Sequence, residues 1–356
     1  MINSIIIGSG HYLPTLAIPN EAFLNHEFFD AVGTRITKSN AEVVQKLNEI
    51  TEIRERRYAE DNQTTSDLAF FAAEKAIQTA GIDKETLDYI IIAHNFGDVA
   101  KGTNRTDFVP SLGTRVKHKL GIKNPDCVAY DIGFGCPGWV QGMIQANYYL
   151  KSGDAKRVMV IGAETLSRVI DPHDRDSMIY ADGAGATILE AREETEARGI
   201  LSHATRTDAS EEAYYLWMGK SYKATACQEN LYIKMHGRKL YKYAVSNVPS
   251  LVKKCLDKVD LDVSDVNKVL IHQANAKLDE GIIRSFFRLY GIREVPDDIM
   301  PMCIEKMGNN SVATVPILYD LIQTGQIEGH EIQNGNHLVF SSVGAGMNIN
   351  AIVYKV

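Results

Sequence analysis

Three observations predict a layered α/β fold built from two similar halves. Short β-branched apolar runs alternate with longer helical patterns, the order of elements repeats along the chain, and the length suits one large duplicated architecture or two domains. The 356 residues are 45% hydrophobic and 23% charged, proportions that exclude disordered, collagenous and low-complexity chains.

In the first half, strands are expected at 4–13, 88–95, 126–133, 157–164 and 185–191. In the second, they are expected at 199–205, 268–274, 337–344 and 347–355. Each half opens with a strand and later reaches an apolar strand ending in histidine, His94 or His272. A glycine-rich turn starting a helix follows, around Cys136 or Asn309, and a strand pair closes the half. The halves are expected to be 1–195 and 196–356, divided in the charged stretch 191–199. Two segments exceed the repeat: an amphipathic, partly helical excursion at 17–50, and a polar, tyrosine-bearing region at 206–231, read as a loop. Long excursions of this kind serve as lids, binding loops or surface decoration.

No apolar run approaches the ~18–20 residues of a membrane span. The start, MINSIIIGSGHYLP, lacks the basic n-region of a signal peptide, so a cytoplasmic protein is expected. Cys127, Cys136, Cys227, Cys255 and Cys303 are scattered without CxxC spacing, which argues against a disulfide framework or a zinc site. With 38 basic against 45 acidic side chains, and no long Lys/Arg run, nucleic acid is not an expected partner.

The most informative segment is 127–153. A strand ends at Gly133-Phe134-Gly135, Cys136 follows, and Pro137 suits the start of a helix carrying Val140, Met143, Ile144 and Tyr148 on one face. A thiol at a helix N-terminus meets unpaired N–H groups and the positive end of the dipole, which favour the thiolate, the nucleophilic form. The flanking glycines let a substrate approach and leave the Cys136 N–H free for an oxyanion. On the turn alone Cys136 is either a nucleophile or a buried structural thiol; the other four cysteines read as core or surface filler. VLIHQAN (269–275) delivers His272 at a strand end with Asn275 beyond it, and MGNNSVATVPILYDLI (307–322) sets Asn309 and Asn310 at a second glycine-started helix. Taken singly, these are a rim histidine and cap asparagines. In corresponding corners of a repeat, they would meet across its pseudo-twofold axis.

These residues carry a resemblance. IRERR (53–57), FGCPGW (134–139), SGDAKRVMVIGAETLSR (152–168), DPHDRDSMIYADGAGA (171–186), HQAN (272–275), GNNS (308–311) and VGAGM (343–347) resemble, in order and over nearly the whole chain, β-ketoacyl-acyl-carrier-protein synthase III of the thiolase superfamily. The resemblance implies the thiolase-like five-layer αβαβα fold and a homodimer. It also implies a Cys136-His272-Asn309 triad, with the Cys136 and Ala345 amides as oxyanion hole. Asn309 is preferred to Asn310 because it directly follows the glycine.

The implied reaction is acyl transfer from a thioester to Cys136, then decarboxylative condensation with a malonyl thioester, without a metal or redox cofactor. The partners implied are acyl-CoA or acyl-carrier-protein donors, malonyl-CoA or malonyl-carrier protein, and the acyl carrier protein itself. Arg175 and Asn275 are implied coenzyme A contacts, Arg175 being equally readable as a helix cap or ion-pair residue. Where the family usually carries a tryptophan and an arginine around the adenine, this chain has Lys46 and Ile50. The rim segment 95–111 is longer than usual. Arg238, Lys239 and Lys242, with Lys277, Arg284 and Arg288, are docking candidates for an acidic carrier protein, or else solvated helix charges. Within this chemistry, fatty-acid initiation and a specialised lipid or polyketide pathway stay open, as does acyl transfer or thioester hydrolysis at Cys136 without carbon–carbon bond formation. Glu164 reads as a structural residue at a strand end.

Overall fold

The computed structural model describes residues 1–356. The first half runs β1 (Ile2–Tyr12), β2 (Leu16–Pro19), α1 (Asn40–Thr51), β3 (Glu55–Tyr58), α2 (Thr65–Ala80), β4 (Tyr89–Ala93), α3 (Leu112–Leu120), β5 (Val128–Ile132), α4 (Gly138–Ser152), β6 (Arg157–Thr165) and β7 (Asp182–Glu193). The second runs β8 (Gly199–Thr207), β9 (Leu216–Gly219), β10 (Tyr232–Met235), α5 (Gly237–Asp257), β11 (Val266–Ile271), α6 (Ala276–Arg288), α7 (Ile304–Met307), α8 (Thr314–Gln323), β12 (His337–Gly344) and β13 (Asn348–Lys355). No helix is long and apolar enough to cross a membrane.

Two sheets organise the molecule. One has strand order β1-β7-β6-β4-β5 and the other β11-β12-β13-β8. The pairing sense matches position by position: β1 and β8 are antiparallel to β7 and β13, which are antiparallel to β6 and β12, and these are parallel to β4 and β11. The place of β5 is filled in the second half by irregular chain, where the Val269 N–H donates to the Ile299 carbonyl at 2.7 Å.

Helices α4 and α8 lie between the sheets and share one core with both, through Met143, Val160, Leu318 and Phe340. Helices α2 and α3 cover the outer face of the first sheet, and α5 and α6 that of the second, each with its own apolar cluster. The result is five layers, αβαβα. Strands covered on both faces need continuous apolar runs, which β4, β6 and β12 supply. Close contact at the centre depends on Gly162, where a Cβ would come within 2.4 Å of the Val312 carbonyl oxygen.

The expected strands are present within a few residues, but the region read as a loop at 206–231 contains β9, which pairs with β10 as an antiparallel hairpin. Its strands are four residues each and hold a single β-branched residue, Ile233, so the periodicity that marks the long strands is missing. Lys234, 1% exposed, fastens this hairpin. Its ammonium lies 2.6 Å from Asp171 and 3.0 Å from Asp174, and stacks on Tyr222. The 17–50 excursion is held by Arg56 on β3. This buried guanidinium donates to the Met178 and Ile18 carbonyls and to Asn20 Oδ1, and burial lowers its pKa to about 10.

Candidate active site

Cys136 lies between β5 and α4, on a turn pressed against the Gly344-Ala345-Gly346 turn that follows β12. A Cβ on Gly344 would sit 2.6 Å from the Cys136 nitrogen, and one on Gly135, whose φ is +67°, 2.9 Å from the Ala345 nitrogen. Only glycines let the two backbones approach so closely. Asn350 of β13 holds the turn from behind, donating to the Pro137 carbonyl at 2.9 Å. The Cys136 N–H has no carbonyl acceptor.

His272 follows β11, and its backbone N–H donates to the Ser341 carbonyl. Asn309 sits on a loop laced to the first half. Its N–H donates to the Ile179 carbonyl and its own carbonyl accepts from the Ala181 N–H, both at 2.9 Å. Next to it, Asn310 Nδ2 donates to the Asp182 carbonyl, so Asn310 serves the loop while Asn309 reaches the cavity.

One cavity of about 300 Å³ joins these elements. Cys136, His272, Asn309, Asn275 and Ala345 all line it, together with Asn95 and Ser311. Its other walls are apolar: Leu216, Trp217 and Met218 of β9, Ile233 and Met235 of β10, and Phe96, Leu166, Ile179 and Tyr180 opposite. No Lys, Arg, Asp or Glu side chain lines it.

The electrostatics follow from this burial. The His272 imidazolium pKa is lowered to about 4 by desolvation, and its Nδ1 has no hydrogen-bond partner. The ring is neutral near pH 7. For Cys136 the structure corrects the expectation of a depressed thiol pKa. Desolvation pushes it up to about 11, the Ser311 hydroxyl opposing and Glu164 adding to the rise. Burial in this cavity therefore favours the thiol over the thiolate.

Asn275 Oδ1 accepts the Leu278 N–H at 2.9 Å as the cap of α6, while the residue also lines the cavity. Arg175 is exposed and outside the lining, 3.8 Å from Asp176. Arg238, Lys239 and Lys242 on α5, and Lys277, Arg284 and Arg288 on α6, are all exposed. Arg238, Lys239, Lys242 and Lys277 stand within two residues of Leu240, Tyr241 or Leu278, cavity residues of the same two helices, while Arg284 and Arg288 lie further along α6. The sequence marked 95–111 as a rim and 206–231 as a lid or binding-loop candidate, but it did not single out Asn95, Tyr180, Ser311 or β10 as site residues; Tyr180 and Ser311 lie within the 171–186 and GNNS motifs. No group of three or more His, Cys, Asp or Glu side chains converges to hold a metal ion.

Comparison with known proteins gives a consistent result. The family models for 3-oxoacyl-[acyl-carrier-protein] synthase III and for its C-terminal part match residues 130–209 and 256–356. The chain is 32% identical over 358 residues to the β-ketoacyl-[acyl-carrier-protein] synthase III of Erythrobacter litoralis, covering 100% of both chains. It is 32% identical over 357 residues to that of Ruegeria pomeroyi, covering 99% of this chain and 98% of the relative. The crystal structure of 3-oxoacyl-[acyl-carrier-protein] synthase III from Aquifex aeolicus is similar with a TM-score of 0.78 at 29% identity, over 99% of this chain and 100% of that one. With its thiolase-like layers and its cysteine cavity, this chain belongs to the β-ketoacyl-acyl-carrier-protein synthase III family and is an acyl-transferring condensing enzyme.

Proposed function

We propose that Cys136 is the nucleophile that takes an acyl group from a thioester, and that His272 and Asn309 stabilise the enolate of a malonyl thioester that then condenses with it. One observation carries the reading: a thiol from the first half, and an imidazole and a carboxamide from the second, open onto a single uncharged cavity. The Cys136 sulfur attacks the acyl carbonyl as its proton passes to neutral His272. The ring hands that proton on to the departing donor sulfur, so the donor leaves as a thiol and His272 is neutral again. The oxyanion is held by the Cys136 and Ala345 amides. A malonyl thioester binds next and loses CO₂. The enolate oxygen accepts hydrogen bonds from His272 and Asn309, and its carbon attacks the acyl-cysteine, expelling the sulfur and giving a β-ketoacyl thioester. Neutral donors suit this step because they match charge that grows in the transition state.

The apolar walls support an aliphatic acyl group longer than acetyl, in fatty-acid initiation or in a specialised lipid or polyketide pathway. Coenzyme A or acyl carrier protein would bring the thioesters, Arg175 and Asn275 contacting the former. Arg238, Lys239, Lys242, Lys277 and Arg284, around the cavity mouth, would meet the acidic carrier protein. A homodimer is supported by β5, an edge strand, and by exposed Phe108 and Val109 on the nearby rim. Residues 1–195 and 196–356 would be the two copies of the ancestral half, in a cytoplasmic enzyme.

Intact-mass spectrometry after incubation with acyl-CoA donors of increasing length tests the assignment. Each accepted donor adds its acyl mass, and Cys136→Ala abolishes every gain. Acyl mass on Cys136 with no CO₂ released from any malonyl thioester would instead leave acyl transfer or hydrolysis as the activity.

A further inference from the structure

Behind the sulfur runs a chain of hydrogen bonds that the proposed reaction does not use. Ser311 Oγ donates to Cys136 Sγ at 3.2 Å. Asn95 Nδ2 donates to Ser311 Oγ at 3.1 Å and, with its other hydrogen, to the Glu164 carboxyl. Glu164 ends β6 and is 1% exposed, Asn95 follows β4, and Ser311 comes from the loop before α8. Every bond has one direction. Asn95 occupies a lone pair of the Ser311 oxygen, and the hydroxyl proton points at sulfur, with the Glu164 carboxyl as the other acceptor near the Ser311 hydroxyl. Ser311 also has φ of +51°, in the left-handed region, a strained conformation for a non-glycine residue that is kept only where surroundings enforce it. In that conformation its N–H donates to Asn309 Oδ1 at 2.8 Å, which turns the Asn309 amide nitrogen away from Ser311.

We propose that Glu164 is a positioning residue: acting through Asn95, it aims the Ser311 hydroxyl at the Cys136 sulfur and so governs how readily that sulfur becomes the nucleophile. The inference rests on Cys136 being the nucleophile of the proposed function. A hydroxyl donating to sulfur stabilises thiolate over thiol. An ionised Glu164 opposes the thiolate, and burial raises the Glu164 pKa above the usual carboxylate range, which favours the neutral acid that can accept from Asn95 without that repulsion. The titratable groups facing the sulfur are Glu164 from β6, His272 after β11 and Tyr180 before β7, with Asp182 facing Glu164.

The test is the pH dependence of iodoacetamide alkylation at Cys136, read by peptide mapping on the full-length protein. Ser311→Ala is expected to lower the rate at pH 7 by about tenfold, equivalent to an apparent pKa higher by about one unit, with an unchanged plateau at high pH. Asn95→Leu and Glu164→Leu should produce the same displacement, and Asn95→Leu combined with Ser311→Ala no more than either alone. Glu164→Gln, which keeps an acceptor for Asn95, should be displaced less than Glu164→Leu. Curves superimposing on the parent's, or equal displacement by Glu164→Gln and Glu164→Leu, would overturn the proposal. If the Glu164 variants do not fold, Ser311→Ala and Asn95→Leu decide it alone. A parent enzyme alkylated at Cys136 but never acylated there would count against the proposed function and not against this network.

Discussion

His94 and His272 occupy matching places in the two halves, each directly after the strand that lies beside β6 or β12, and the protein uses them oppositely. His94 is fully engaged. Its Nδ1 accepts the Gly97 N–H at 3.0 Å, so Nε2 carries the proton and donates to Asp131 at 3.1 Å. Asp131 in turn accepts the Leu112 and Gly113 amides at 2.7 Å, starting α3. The His272 ring lines the cavity, its buried Nδ1 has no partner at hydrogen-bond geometry, and, burial apart, only the Ser311 backbone bears on its charge. Equivalent backbone positions therefore do not imply equivalent chemistry. A buried polar group whose bonds are all made within the protein is spent on the fold, while a ring that lines a cavity without such bonds can meet a substrate.

That contrast can be broken or sharpened by substitution, starting with the largest effect. Lys234→Met sits in the same half as His272 but is fully partnered, and it leaves two carboxylates without their cation. A loss of about 3–5 kcal/mol in urea unfolding is expected, with any folded protein still acylated at Cys136. His272→Ala and Asn309→Ala should each slow condensation by about 10²–10³-fold, as loss of one transition-state donor does. The unfolding midpoint should stay close to the parent's in His272→Ala and fall in Asn309→Ala, which orphans the buried Ser311 N–H. His94→Ala should do the converse, removing about 1–3 kcal/mol of stability by orphaning Asp131 and the Gly97 N–H, while the folded fraction keeps its turnover.

The smallest effect is in pH. Since the His272 pKa is about 4 in the folded chain and that of an exposed histidine about 6.5, the unfolded state binds the extra proton between these values. The contribution of His272 to stability is therefore intact above pH 6.5 and declines as pH falls towards 4. Unfolding midpoints at pH 7 and 4.5 should differ less in His272→Gln than in the parent.

Much of the fold is legible in the sequence because the long strands are buried on both faces and must be continuous in Val, Ile and Ala. The two glycine-started turns, around Cys136 and Asn309, can likewise be matched from their residues alone. The hairpin of β9 and β10 is not legible, since four half-exposed residues per strand carry no period, although it forms a wall of the cavity. Glu164 reads as a mere strand end because its partner Asn95 is 69 residues away and Ser311 is 216 residues beyond Asn95. No local pattern could join them. The thiol expectation fails for a different reason. Position before a helix is visible in sequence, but the desolvation that raises the Cys136 pKa depends on walls contributed by distant segments.

The most direct test of the two-half active site uses acyl-enzyme isolated free of donor, to which malonyl thioester labelled in its carboxylate is added while CO₂ release is followed. The parent should release CO₂ in step with β-ketoacyl product. Acyl-enzymes of His272→Ala and Asn309→Ala should form but release it at least about 100-fold more slowly, and that of His94→Ala at the parent's rate. Unimpaired release from acylated His272→Ala, or equal impairment in His94→Ala, would contradict the assignment of the second half's free imidazole to the enolate.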